Sequence, residues 1–175
     1  DIDNDGFTEV TGWVSADDAL LSWDKNLNGK IDNSTELFGS ATTDGFSILA
    51  ALDSNLDGYI TSADTNWSVL SLWQDFDEDG VTDAGELTTL ASRGITSINL
   101  NYTGVNIENA GNTIKQTSSF TMNGTTHEVV DAWFTYDNFL SRYNGPITPD
   151  APVLALPNLT GYGDLPDLRI GMMQD

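Results

Sequence analysis

Asp75-Phe-Asp77-Glu-Asp79-Gly80-Val81-Thr-Asp83-Ala-Gly-Glu86 decides how this chain is read. Acids alternate with other residues, a glycine follows, and a Glu closes the twelfth position. Oxygen ligands at alternate positions can converge on one hard cation if the backbone then turns sharply, and glycine supplies that turn without a Cβ clash. Asp75, Asp77, Asp79, the Val81 carbonyl and a bidentate Glu86 therefore read as a calcium site.

The pattern recurs three times upstream. The loop from residue 53 offers Asp53, Asn55, Asp57, the Tyr59 carbonyl after Gly58, and Asp64 at position twelve. Its eighth residue, Ile60, is expected to point into the core. The loop from residue 24 offers Asp24, Asn26, Asn28, the Lys30 carbonyl and Asp32. Its twelfth residue is Thr35, and the acid Glu36 comes one residue late. Either that loop is longer by one residue, or Glu36 reaches in from the next segment. The loop from residue 1 offers Asp1, Asp3, Asp5, the Phe7 carbonyl and Glu9. Gly12 stands at its twelfth position, so a further ligand is expected from the following segment, from Asp17 or Asp18, with Asp18 taken as the site residue. Three to four calcium ions are expected.

The net charge of −21 agrees with this reading. Residues 1–86 carry 19 acids against two bases. Such a segment repels itself, nucleic acid and anionic membranes, and divalent cations would offset the repulsion. No cysteine is present, which excludes disulfides and thiolate metal sites. An extracellular chain without disulfides needs another staple, and calcium is one. No apolar run has membrane-spanning length. The chain starts abruptly at a ligand residue and reads as an excised fragment.

Starts at residues 53 and 75 leave too little room for two helices per loop. Trp67, Val69, Leu70 and Trp73 suit one shared helix with a buried face. Phe46–Leu52 reads as the helix entering the third loop, and Ala84–Ser92 as the helix leaving the fourth, stopped by Gly94. Beyond Gly94, Ile98, Leu100 and Tyr102 alternate as in a strand. Residues 113–122 and 125–134 flank Asn123-Gly124, a hairpin signal. Residues 131–143 fit either a further strand or an amphipathic helix packed on the hairpin, and the helix is the preferred reading. All five prolines lie beyond residue 145, so that stretch reads as a linker or an extended arm. The expected fold is α+β. It comprises EF-hand-like calcium loops with short helices, then a small antiparallel hairpin region and a Pro-containing arm. A module at 1–144 is expected, followed by 145–175.

His127, the single histidine, has no cysteine or evident serine partner and reads as a strand residue. No glycine-rich phosphate loop is present, and no catalytic residue is assigned.

Several stretches carry a family resemblance. They are Asp1 to Asp18 with Thr11-Gly12-Trp13, Leu20 to Gly29, Ile31 to Gly39 with Glu36-Leu-Phe-Gly39, Ala50 to Gly58, and Leu70 to Leu87. They resemble the self-processing module of iron-regulated RTX proteins and the matching calcium-binding segment of large RTX adhesins and haemolysin-like proteins. The tail Gly161–Ile170 is similar to the segment that follows that module. The resemblance implies type I export, a secreted or bacterial cell-surface location, calcium-induced folding outside the cell, and neighbouring domains of a larger protein as partners. In some members it also implies calcium-triggered cleavage of an Asp-Pro bond, where the Asp side chain attacks its own peptide carbonyl. This sequence contains no Asp-Pro pair, so cleavage is the alternative reading, with the scissile bond expected upstream. A second alternative is a calcium-dependent adhesin domain that binds a host-surface protein or glycan.

Overall fold

A computed structural model describes residues 1–2, 5–40 and 42–174. Its backbone forms two compact units, one of residues 12–134 and one of residues 1–11 with 135–175.

The larger unit holds two antiparallel sheets. The first is built from β2 (Leu20–Ser22), β4 (Ser71–Trp73) and β5 (Leu87–Thr89), in the order β2-β4-β5. The second joins β3 (Tyr59–Thr61), β6 (Ile95–Asn99), β8 (Asn112–Met122) and β7 (Thr103–Asn109), with β9 (Thr125–Trp133) also paired to β8. β8 and β9 turn at Asn123-Gly124, where both residues take positive φ, +51° and +77°. Two consecutive left-handed residues match the right-handed twist of the flanking strands, so the dipeptide sets the register. The helix α1 (Gly45–Ala50) starts where the Asp44 side chain accepts the Ser47 N–H, satisfying a donor that the first turn leaves free. Its Leu49 joins Ile60, Leu70, Leu90, Ile95 and Ile98 in the buried core. Ile60, the eighth residue of the third loop, is fully buried.

In the smaller unit, β1 (Phe7–Thr11) pairs with β10 (Tyr136–Tyr143). Phe7 packs edge-on against Tyr143 at 5.6 Å between ring centroids. The tail holds α2 (Ala151–Leu154) and α3 (Leu168–Gly171), one turn each. It meets β10 where the Gly163 N–H donates to the Phe139 carbonyl and the Ser141 hydroxyl to the Gly163 carbonyl. Tyr162 stacks on Phe139.

The α+β expectation with helix-flanked loops is overturned: the chain is mainly antiparallel β. Residues 67–73 form a 3-10 turn at Trp67–Val69 and then β4, not one helix. Leu70 and Trp73 are buried, Trp67 is half-buried and Val69 is exposed, and Leu72 faces Leu21 across a strand pair. Residues 84–92 are not helical either. Gly85 takes φ +98°, outside helical dihedrals, and β5 turns back onto β4 with Leu87 opposite Trp73. Residues 131–143 extend through the end of β9 and into β10, because β1 offers that segment a ladder of backbone partners. Among the described residues, no helix is long and apolar enough to cross a membrane.

Candidate metal centres

The four acidic loops share one set of local hydrogen bonds. The first acid of each spans two backbone N–H groups. Asp75 takes those of Asp79 (3.2 Å) and Gly80 (2.8 Å). Asp53 takes those of Asp57 and Gly58, Asp24 those of Asn28 and Gly29, and Asp1 those of Asp5 and Gly6. The fifth residue then accepts the N–H of the seventh, as Asp79 does from Val81 at 2.8 Å. Asn28, Asp57 and Asp5 do the same for Lys30, Tyr59 and Phe7. These bonds curl the loop over its first seven residues. Position six is a left-handed glycine in every loop, with φ from +72° to +96°.

A closing acid completes each loop. Glu86 accepts the N–H of Phe76 at one oxygen and of Asp83 at the other, both at 2.8 Å. Asp64 repeats this with Ser54 and Thr61. Glu36 repeats it with Lys25 (2.9 Å) and Asp32 (2.8 Å). The late acid therefore does reach in, carried by a 3-10 turn over Ser34–Glu36 that Asn33 caps. In the first loop Glu9, on β1, takes the Ile2 N–H at 2.7 Å, the bond to the second residue that the other closing acids make. Asp18 closes a separate turn, where its carboxylate accepts the Ser15 hydroxyl at 2.9 Å. Asp3 lies outside the described residues.

Five of these acids are buried: Glu36, Asp53, Asp64, Asp75 and Glu86. The alternate positions Asp77, Asp79, Asn26, Asn28, Asn55 and Asp57 are exposed on the loop rims. Partial desolvation, then the surrounding carboxylates of Asp79, Glu86, Asp75 and Asp83, push Asp77 above the usual carboxylate range. In the third loop, hydrogen bonds from the Thr61 and Ser54 backbones hold Asp64 below it.

The oxygens meet the geometric demand of a hard cation. Calcium sits 2.3–2.6 Å from its ligands, so two oxygens sharing one ion lie at most about 5 Å apart. Carboxylate oxygens of Asp75, Asp77 and Glu86 all lie within 4.8 Å of one another, and so do those of Asp1, Asp5 and Glu9. Glu9 adds a second sign. Its Oε1 is buried and has no hydrogen-bond partner among the described residues, an expensive state for a carboxylate oxygen unless a cation meets it. The residues present thus fit a divalent ion bound through oxygen.

Two contributors lie outside the set of expected oxygen ligands. The Trp13 indole N–H donates to Asp75 Oδ2 at 2.6 Å. Its ring lies edge-on to Trp73 at 5.5 Å and stacks on Phe134 at 5.6 Å. The one sequence signal for it was its place in the Thr11-Gly12-Trp13 motif. Trp13→Phe keeps the ring contacts and deletes the donor. A hydrogen bond to a charged group is worth about 1.5–3 kcal/mol. Urea denaturation in saturating calcium should show a loss of that size, and an unchanged midpoint would refute this role. The other contributor is Thr82, whose hydroxyl meets the backbone of Ile31.

Comparison with known proteins adds two findings. A family model described as the SPM domain matches residues 1–135. Iron-regulated protein FrpA of Neisseria meningitidis serogroup C is 43% identical over 176 residues, which is 95% of this chain and 16% of that protein.

Proposed function

The chain belongs to the SPM domain family, and from that premise we propose that it is a calcium-binding module of a secreted RTX-type protein, folding when it meets extracellular calcium. The observation that carries this reading is the convergence of Asp75, Asp77 and Glu86 within 4.8 Å on a frame of hydrogen bonds that recurs in full in the second and third loops and in part in the first. The first and closing acids are held by backbone N–H groups before any ion arrives, which lowers the reorganisation that binding requires. Asp77 and Asp79, or their Asn counterparts, and the carbonyls of Val81, Tyr59, Lys30 and Phe7 complete the oxygen shells. A bound ion would supply charge neutralisation and a cross-link from the start of each loop to its end.

The 43% identity with FrpA supports the RTX-type context, and the chain spans 16% of that protein. On this reading the module works beside other domains of a longer secreted chain. Native mass spectrometry of the 175-residue chain in calcium provides the test. Three to four bound ions are expected, and Glu86→Gln should remove one. A chain that retains no more than one ion after buffer exchange would overturn the proposal.

A further inference from the structure

The second and fourth loops face each other across an approximate two-fold axis, although 51 residues separate the hydrogen-bonded Ile31 and Thr82. Leu21 pairs with Leu72, and each stands three residues before the first acid of its loop. Around that pair the register is reciprocal, with Leu20 opposite Trp73 and Ser22 opposite Ser71. The return from each loop is the same. The Trp23 N–H donates to the Glu36 carbonyl at 2.8 Å, and the Gln74 N–H to the Glu86 carbonyl at 3.0 Å. At the far end, the eighth residues of the two loops meet. The Thr82 hydroxyl accepts the Ile31 N–H at 2.9 Å and donates to the Ile31 carbonyl at 3.3 Å. Both residues are buried.

These contacts form one continuous path. Glu36 holds the Asp32 N–H, Asp32 follows Ile31, Ile31 is bonded to Thr82, and the next residue, Asp83, gives its N–H to Glu86. Lys30 and Val81, whose carbonyls are expected ligands, stand on the other side of the same two residues. A shift of either closing carboxylate toward an ion must therefore move the backbone of the opposite loop. The third loop is built otherwise. Its eighth residue, Ile60, pairs with Ile98 of β6 and touches no second acidic loop through that ladder.

We infer that the loops at 24–36 and 75–86 bind calcium as a coupled pair through the Thr82 hydroxyl, while the loop at 53–64 fills independently of that contact. This rests on the calcium reading above. Coupling between sites is reciprocal and is commonly fivefold or more in affinity. Calcium release from the loaded chain by a graded chelator, followed through the amide signals of Gly29, Gly58 and Gly80, measures each loop separately. Glu86→Gln should weaken the 24–36 loop at least about fivefold, and Glu36→Gln should weaken the 75–86 loop by the same factor. Neither should alter the 53–64 loop beyond twofold. Thr82→Val should reduce both cross-effects below twofold, and Thr82→Ser, which keeps the hydroxyl, should preserve them. An equal loss in all three loops would report general destabilisation and overturn the pairing, as would no cross-effect at all. The Glu36→Gln and Glu86→Gln arms decide the matter even if Thr82→Val does not fold. If the unaltered chain binds no calcium, the functional proposal itself falls. If it binds at all three loops but they respond alike, only the pairing falls.

Discussion

In EDTA the chain is expected to lose the β-sheet circular dichroism that it shows in millimolar calcium, and to regain it when calcium is restored. The net charge of −21 opposes a compact state, and five loop acids, together with Asp131, must be buried to reach it. The hydrogen bonds to the loop acids come from neutral donors, chiefly backbone N–H groups with the Trp13 indole and the Ser54 hydroxyl, which shape the loops but do not neutralise the charge. The fully buried apolar cluster is small, at six residues. A ligand that binds only the native state stabilises it by RT ln(1+[L]/Kd). At millimolar calcium and a Kd near 10⁻⁴ M this is about 1.4 kcal/mol per site, or roughly 5–6 kcal/mol for four. That rivals the entire stability of an ordinary domain. At sub-micromolar calcium the contribution vanishes. Magnesium should restore much less signal, because it requires tight octahedral geometry and sheds its waters reluctantly. Far-UV circular dichroism with both ions is the measurement. A fully folded sheet in EDTA would remove the folding switch from the proposed function.

Asp75→Ala is the single substitution expected to do most damage. Asp75 is 1% exposed and accepts three hydrogen bonds, from the Trp13 indole and from the Asp79 and Gly80 backbones. Removing the carboxylate leaves all three donors facing an apolar methyl. A donor left unsatisfied costs about 1–3 kcal/mol, and solvent access to the exposed Asp79 and Gly80 holds the sum to roughly 3–5 kcal/mol. The ion of that loop is lost as well. For a chain of this size, each kcal/mol moves the melting temperature by about 2–4 °C, so a fall of about 10 °C or more in excess calcium is expected. Asp77→Ala provides the contrast. Asp77 is exposed and crowded by like charges, so its removal should weaken ion binding with a smaller melting shift. Equal melting curves for the two variants would show that the buried frame around Asp75 carries no special share of stability.

The spacing of Asp, Asn and Gly identified the acids that the structure gathers in the fourth loop, because the bonds that curl each loop span only two to five residues. The hairpin at Asn123-Gly124 was legible for the same reason: two adjacent residues set the turn. The late acid Glu36 was legible as a question, and the 3-10 turn at Ser34–Glu36 answers it by carrying the carboxylate back to Lys25 and Asp32. Glu9 was named as a ligand, but its part as the closing acid depends on β1 being a strand, which only β10 makes it.

The helix read before the third loop is present as α1, whereas the one read over residues 67–73 was misread for a physical cause. A short apolar stripe such as Trp67, Val69, Leu70 and Trp73 satisfies a helix period and an irregular turn followed by a strand equally well. Long-range partners arbitrate, and here β2 supplies the ladder for β4 across about fifty residues. Local sequence thus determined where oxygens could converge and where the chain must turn, since those features rest on neighbouring backbone and glycine dihedrals. Tertiary structure alone decided what flanks the loops, which acid closes the first one, that Trp13 holds Asp75, and that Thr82 joins the second loop to the fourth. Each of these is a contact between residues distant in the chain, and no local pattern encodes which distant partner will arrive.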